Sequence, residues 1–158
     1  MAKDINELID DLGNSDEFVQ EEAIADLELR SDESTDYLIE ALTIKKSKDI
    51  KIGVAKVLGF IGDSKAIDPL IATLKDPNKL VRREASTALS RMGDSAVEPL
   101  INILDSDDWK IRGAAAWALG NLKDLRAIEP LEKLLKDESG FVKAGAKWAI
   151  DNLNKSNQ

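Results

Sequence analysis

Leucines recur along this chain in a fixed register. Leu8, Leu38, Leu70, Leu100 and Leu131 are separated by 30, 32, 30 and 31 positions, and Leu12, Leu42, Leu74, Leu104 and Leu135 keep the same spacing. A second set, Val19, Ile50, Val81, Ile111 and Val142, runs at 31, 31, 30 and 31. Four positions behind it stand Ala23, Val54, Ala85, Ala115 and Ala146; four further on come Leu27, Leu58, Leu89, Leu119 and Ile150. Positions i, i+4 and i+8 share one face of a helix. A period of this length marks a repeat array, in which each unit is a supersecondary element too small to bury its own apolar face. The two sets define two helices per unit, so the chain is predicted to be five helical hairpins.

The punctuation agrees with that division. Pro69, Pro99 and Pro130 stand one residue before the first leucine of their units, where a first-turn proline forfeits no helical hydrogen bond. Gly62 and Gly93, each followed by aspartate, sit where a helix end favours a left-handed residue. The predicted units are 4–31, 35–63, 66–94, 96–124 and 127–154, with Lys45-Lys46-Ser47-Lys48 a slightly longer loop inside the second. Ala85, Ala88, Ala115, Ala118, Ala146 and Ala149 line the inner face of the second helices, and short side chains there allow close stacking. The expected fold is all-α: a single domain forming a short right-handed solenoid, with the second helices as its concave layer.

Composition removes most catalytic chemistry. The chain has no histidine and no cysteine, which excludes imidazole bases, imidazole and thiolate ligands, disulfides and cysteine nucleophiles. No run of 18 apolar residues and no basic segment followed by an apolar one is present, so neither a membrane span nor a signal peptide is expected, and a cytoplasmic location is. No phosphate-cradling glycine loop appears. The acidic loop Asp105-Ser106-Asp107-Asp108 reads as solvated capping, with Asp108 ahead of a helix starting at Trp109, and no metal or cofactor is expected.

Units three to five carry the segments VRREASTALSRMGD (81–94), IRGAAAWALGNLKD (111–124) and VKAGAKWAIDNL (142–153), joined by SAVEPLINIL (95–104) and RAIEPLEKLL (126–135). These resemble HEAT-like repeats of the phycobilin-lyase type, and residues 66–153 are similar to small HEAT-like repeat proteins of methanogenic archaea. The resemblance implies a structural ladder in which Arg82, Arg112 and Lys143 meet loop aspartates such as Asp76, Asp107 and Asp137. It also points to two kinds of relative: a di-iron hydroxylase held by His-Glu pairs, whose ligand set a histidine-free chain cannot supply, and lyase subunits that attach bilins to cysteines. Units one and two depart from the pattern: Tyr37 replaces the proline, and Gln20 and Glu28 the arginine and glycine. Asp26 and Arg30 occupy columns that are apolar elsewhere, so unit one is expected to act as a cap.

Spacing residues 100° apart places Trp117 opposite the core of its helix, on the expected concave surface, with Lys56 and Trp148 in the same column. Phe60, Arg91 and Asn121 flank that column, Arg83 lies one turn earlier, and Trp109 sits at its loop edge. Aromatics beside arginines are typical of binding hot spots. The expected function is a non-catalytic scaffold that engages a protein partner, with Trp117 and Trp148 as anchors. The alternatives are a nucleic-acid binder, an accessory subunit of a lyase, and a homodimer paired through the aromatics. Residues 1–40 hold 14 acidic and 2 basic residues, a net −12, whereas 41–158 hold 16 and 20, a net +4, which together give the overall −8. Nucleic acid is therefore the disfavoured partner.

Overall fold

The computed structural model describes residues 2–157. These are helical, and no strand occurs among them. The hairpins are α1 (Ile5–Asp11) with α2 (Glu17–Leu29), α3 (Ser31–Ile44) with α4 (Lys48–Ile61), α5 (Ile67–Thr73) with α6 (Lys79–Ser90), α7 (Val97–Asn102) with α8 (Trp109–Leu122), and α9 (Ile128–Lys133) with α10 (Gly140–Ser156). Every second helix opens on a side-chain cap: Asp16, Ser47, Asn78, Asp108 and Ser139 each accept a hydrogen bond from a first-turn amide. These caps satisfy backbone donors that no helical carbonyl can reach.

Proline fixes where the first helices of units three to five begin. In units three to five it is the third residue of a helix of only six or seven residues, preceded by a 3-10 turn. Unit two has Tyr37 at that place, whose amide can donate, so α3 runs uninterrupted for 14 residues. It therefore begins at Ser31, ahead of the boundary at 35 read from the sequence, and the Ser34 hydroxyl ties it back to the Leu27 carbonyl at 2.7 Å. A second departure lies after α9. Residues Leu134–Lys136 tighten into a 3-10 turn, which rotates Leu134 into the core and leaves Leu135, the expected core residue, exposed.

The remaining columns form one continuous core. Leu38, Leu70, Leu100 and Leu131 of the first helices and Leu27, Leu58, Leu89 and Leu119 of the second are wholly buried, as are Ala85, Ala88, Ala115, Ala118, Ala146 and Ala149. From the second unit onward successive second helices pack closely on one another, whereas successive first helices touch little. The second helices therefore lie at the smaller radius, on the inside of the curve.

The spacing between second helices is not uniform. A Cβ built on Gly59 would lie 2.8 Å from the Ala88 backbone, and one on Gly120 would lie 2.9 Å from that of Ala149, so α4–α6 and α8–α10 are in near-backbone contact. The same column holds Ser90 in α6, and α6 packs less extensively on α8 than those pairs do on each other. Here the Ser86 hydroxyl bridges to the Ala114 carbonyl at 2.8 Å.

Among the described residues Gly62 at φ 74° and Lys123 at φ 58° end α4 and α8 in the left-handed conformation, and Gly93 at φ 72° opens the 3-10 turn after α6. A side chain is disfavoured in this region because its Cβ crowds the following carbonyl. Lys123→Gly is expected to stabilise the protein by about 1 kcal/mol, raising Tm by about 3 °C; a melt followed by circular dichroism measures it.

Candidate functional site

Ion pairs and hydrogen bonds tie the loops of successive units together. The Arg112 guanidinium makes a paired contact with the Asp137 carboxylate, Nε–Oδ2 2.8 Å and Nη2–Oδ1 2.9 Å, and its Nη1 donates to the carbonyls of Ser106 and Asp107. One cation thus holds its own loop and the loop of the next unit. Lys51 does the same for the next loop through Asp76 at 2.8 Å. Lys51 was not singled out from the sequence; the signal was its position directly after Ile50, where the other units carry Arg82, Arg112 and Lys143. Both carboxyls are held below the ordinary carboxylate range: at Asp137 by the Arg112 guanidinium, and at Asp76 because the Lys51 ammonium and the Asn78 amide outweigh an opposing push from burial. On the opposite edge Asp124, beside Arg126, is lowered to about 2.

Three expected members stand outside the ladder. Asp107 offers a backbone carbonyl, not its carboxylate, to Arg112, and its side chain is exposed. Arg82 donates through Nη1 to the carbonyls of Asp76 and Pro77 and makes no carboxylate pair among the described residues. Its forward partner by position is Asp107, across the wider α6–α8 seam. Lys143 makes no carboxylate pair among the described residues, and its charge acts on Asp137 only through space.

At that same seam the surface opens into a groove of about 590 Å³, lined by Lys79, Arg82, Arg83, Ser86, Trp109, Lys110, Gly113, Ala114, Trp117 and Phe141. Trp117 is parallel to Trp148, ring centroids 6.3 Å apart, and the two remain 39% and 41% exposed. Trp109 meets Phe141 edge to face at 5.6 Å, and the Lys110 ammonium lies 5.8 Å from the Trp109 ring. The indoles are neither sealed in the core nor free-standing: each leans on a ring from the neighbouring second helix. Phe141 was not singled out from the sequence, although it precedes the Val142 core column, where a large apolar residue faces outward. Gly113 accommodates it, since a Cβ there would fall 2.7 Å from the Phe141 ring.

The other nominated residues lie apart from this groove. The Arg91 guanidinium sits 4.8 Å over the Phe60 ring and 3.7 Å from Glu84, so both residues are engaged with one another outside the groove. The Asn121 amide donates to the Trp117 carbonyl at 3.0 Å and steadies the end of α8. Lys56 is half-buried on α4 and does not line the groove. Among the described residues no helix is long and apolar enough to cross a membrane, and no three Asp or Glu gather as they would around a metal ion.

The sequence matches HEAT repeats over residues 5–79 and 67–151, which together span nearly all of it. The chain belongs to the HEAT-repeat family. Among curated proteins, the phycocyanobilin lyase subunit alpha of Picosynechococcus sp. PCC 7002 is 37% identical over 75 residues, covering 42% of this chain and 28% of that protein. The same subunit of Nostoc sp. PCC 7120 is 41% identical over 72 residues, covering 40% and 26%. The matched region is thus about a quarter of the length of these relatives. Among solved structures, the complex of CpcE and CpcF of phycocyanin lyase from Nostoc sp. PCC7120 superposes with TM-score 0.67 over 92% of this chain and 96% of the other, at 22% identity. A designed armadillo repeat protein in complex with the peptide (KR)4 gives 0.50 over 95% and 82%, at 21% identity. At these identities the structural matches show the fold.

Proposed function

We propose that this HEAT-repeat protein is a non-catalytic scaffold that holds a protein partner on its second-helix face. One observation carries the reading: three exposed aromatic rings, Trp109 and Trp117 of α8 and Phe141 of α10, line a single open groove bordered by cations, and Trp148 stacks behind Trp117. Isolated exposed apolar residues are common, but a cluster of rigid aromatics beside arginine is the composition of interface hot spots. Trp117 and Trp148 act as the apolar anchors, Trp109 and Phe141 extend the patch, and Arg83 supplies polar specificity.

Trp117→Ala should leave the helical circular dichroism spectrum unchanged and weaken partner binding by about 2 kcal/mol. The test is co-purification from the native host beside the Trp117→Ala, Trp148→Ala double variant: a protein captured by the parent and lost with the variant supports the reading, and identical captures overturn it. The naming of both curated relatives as lyase subunits supports a second reading, an accessory subunit of a bilin lyase. It requires the absorption spectrum of protein purified from bilin-producing cells to show a bound chromophore.

A further inference from the structure

We propose that the groove between α6 and α8 receives an acidic segment of the partner that carries a large apolar side chain. This rests on the scaffold reading and specifies its ligand chemistry. Lys79, Arg82, Arg83 and Lys110 line the groove and no carboxylate does, in a chain whose net charge is −8. Four acidic side chains of the adjoining loops and helices are committed elsewhere: Asp76 to Lys51, Asp137 to Arg112, Glu84 toward Arg91, and Asp108 to the Lys110 amide of α8. Asp107, which would complete the ladder with Arg82, does not reach it. The guanidinium is left with Nε and Nη2 unengaged among the described residues, at the wall of the groove.

Local helix physics sharpens the point. The first turns of α6, α8 and α10 contain no acidic residue, and Lys79 and Lys110 occupy the positive ends of the α6 and α8 dipoles. Cations there are unfavourable for the helix and add to a potential that attracts anions. The rings supply the other half of the recognition. Trp117 has one face against Trp148, and Trp109 has Lys110 over its face and Phe141 at its edge. Stacked nucleobases need open ring faces; partly covered rings offer edges suited to an apolar side chain. A long polyanion would also meet the net −12 of residues 1–40. An acidic peptide needs complementarity only within the groove.

The experiment titrates the full-length protein into a fluorescein-labelled peptide of Asp and Glu residues around one central Phe, followed by anisotropy. Saturable binding is expected, weakening about ten-fold between about 50 and about 300 mM salt. It should weaken at least about ten-fold in the Arg82→Glu, Arg83→Glu variant, and likewise when Ala replaces the peptide Phe. Should that variant melt early, Lys79→Glu with Lys110→Glu, both exposed, repeats the measurement. Absent binding, or equal binding to the charge-reversed protein, overturns the proposal. So does tighter binding of an oligothymidylate of about twelve nucleotides, which would assign the groove to nucleic acid. Sedimentation showing a dimer that excludes the peptide would assign it to a second copy and also overturn it. Partner capture that is lost with the Trp variants yet survives charge reversal would retain the scaffold while rejecting the acidic ligand.

Discussion

Replacing Asp137 by alanine is expected to destabilise the protein by about 3 kcal/mol, lowering Tm by about 9 °C. The Arg112 and Asp137 side chains are only 16% and 7% exposed, so the substitution leaves a guanidinium with no anion in a poorly solvated loop stack. The paired geometry makes it worse, because both parallel hydrogen bonds vanish together while the carbonyls of Ser106 and Asp107 still hold the group in place. Removing the cation as well, in an Asp137→Ala, Arg112→Met double variant, should recover part of the loss, since the uncompensated charge is the larger penalty. Urea denaturation of the three proteins checks both statements.

The same contact fixes the response to acid. The folded Asp137 carboxyl lies below its unfolded value of about 3.9. A lowered folded pKa means that the unfolded chain binds the proton more readily, so the contribution is complete above about pH 4 and is lost as the pH falls through the folded value. Asp76 adds in the same direction, and Asp124, lowered to about 2, extends the fall to lower pH. With no histidine in the chain, stability is expected to be level between about pH 5 and 8 and to drop only below about 4. In Asp137→Ala the drop is shallower, which acid titrations monitored by circular dichroism resolve.

The leucine and alanine columns were legible in the sequence because they express one periodicity and need no knowledge of neighbouring units. Proline at 69, 99 and 130 marked helix starts for the same local reason. What the period alone does not specify is how far each unit stands from the next. Gly59 and Gly120 stand at the tight α4–α6 and α8–α10 seams and Ser90 at the looser α6–α8 seam, a single column whose meaning appears only when each residue is set against the alanine facing it. The unequal spacing has two consequences invisible to a repeat-by-repeat reading: Arg82 makes no carboxylate pair among the described residues, and a groove lies beside it. Trp109 and Trp117 were recognisable as outward-facing from their helical phase. Phe141 was not, because its ring reaches across from α10 to cover Gly113 of α8, and the contact belongs to two units.

Gly120→Val tests whether that column controls the seam, with an expected cost of about 3 kcal/mol. The new Cβ would sit 2.7 Å from the Trp148 ring and 2.9 Å from the Ala149 Cα, and a backbone neighbour cannot swing aside as a side chain can. The helices α8 and α10 must therefore separate, breaking the Asn152 hydrogen bond to the Gly120 carbonyl at 2.7 Å and the parallel contact of Trp117 with Trp148. Ser90→Gly is the converse change. It removes the side chain at the matching place on α6, so that any closing of the α6–α8 seam acts directly on the groove. Two readouts separate packing from site geometry. Thermal melts report the cost, and near-ultraviolet circular dichroism reports the indole pair. Loss of the indole signal in Gly120→Val with retention in Ser90→Gly is the expected pattern; a Gly120→Val protein with unchanged Tm and indole spectrum would show that the column does not set the distance between units.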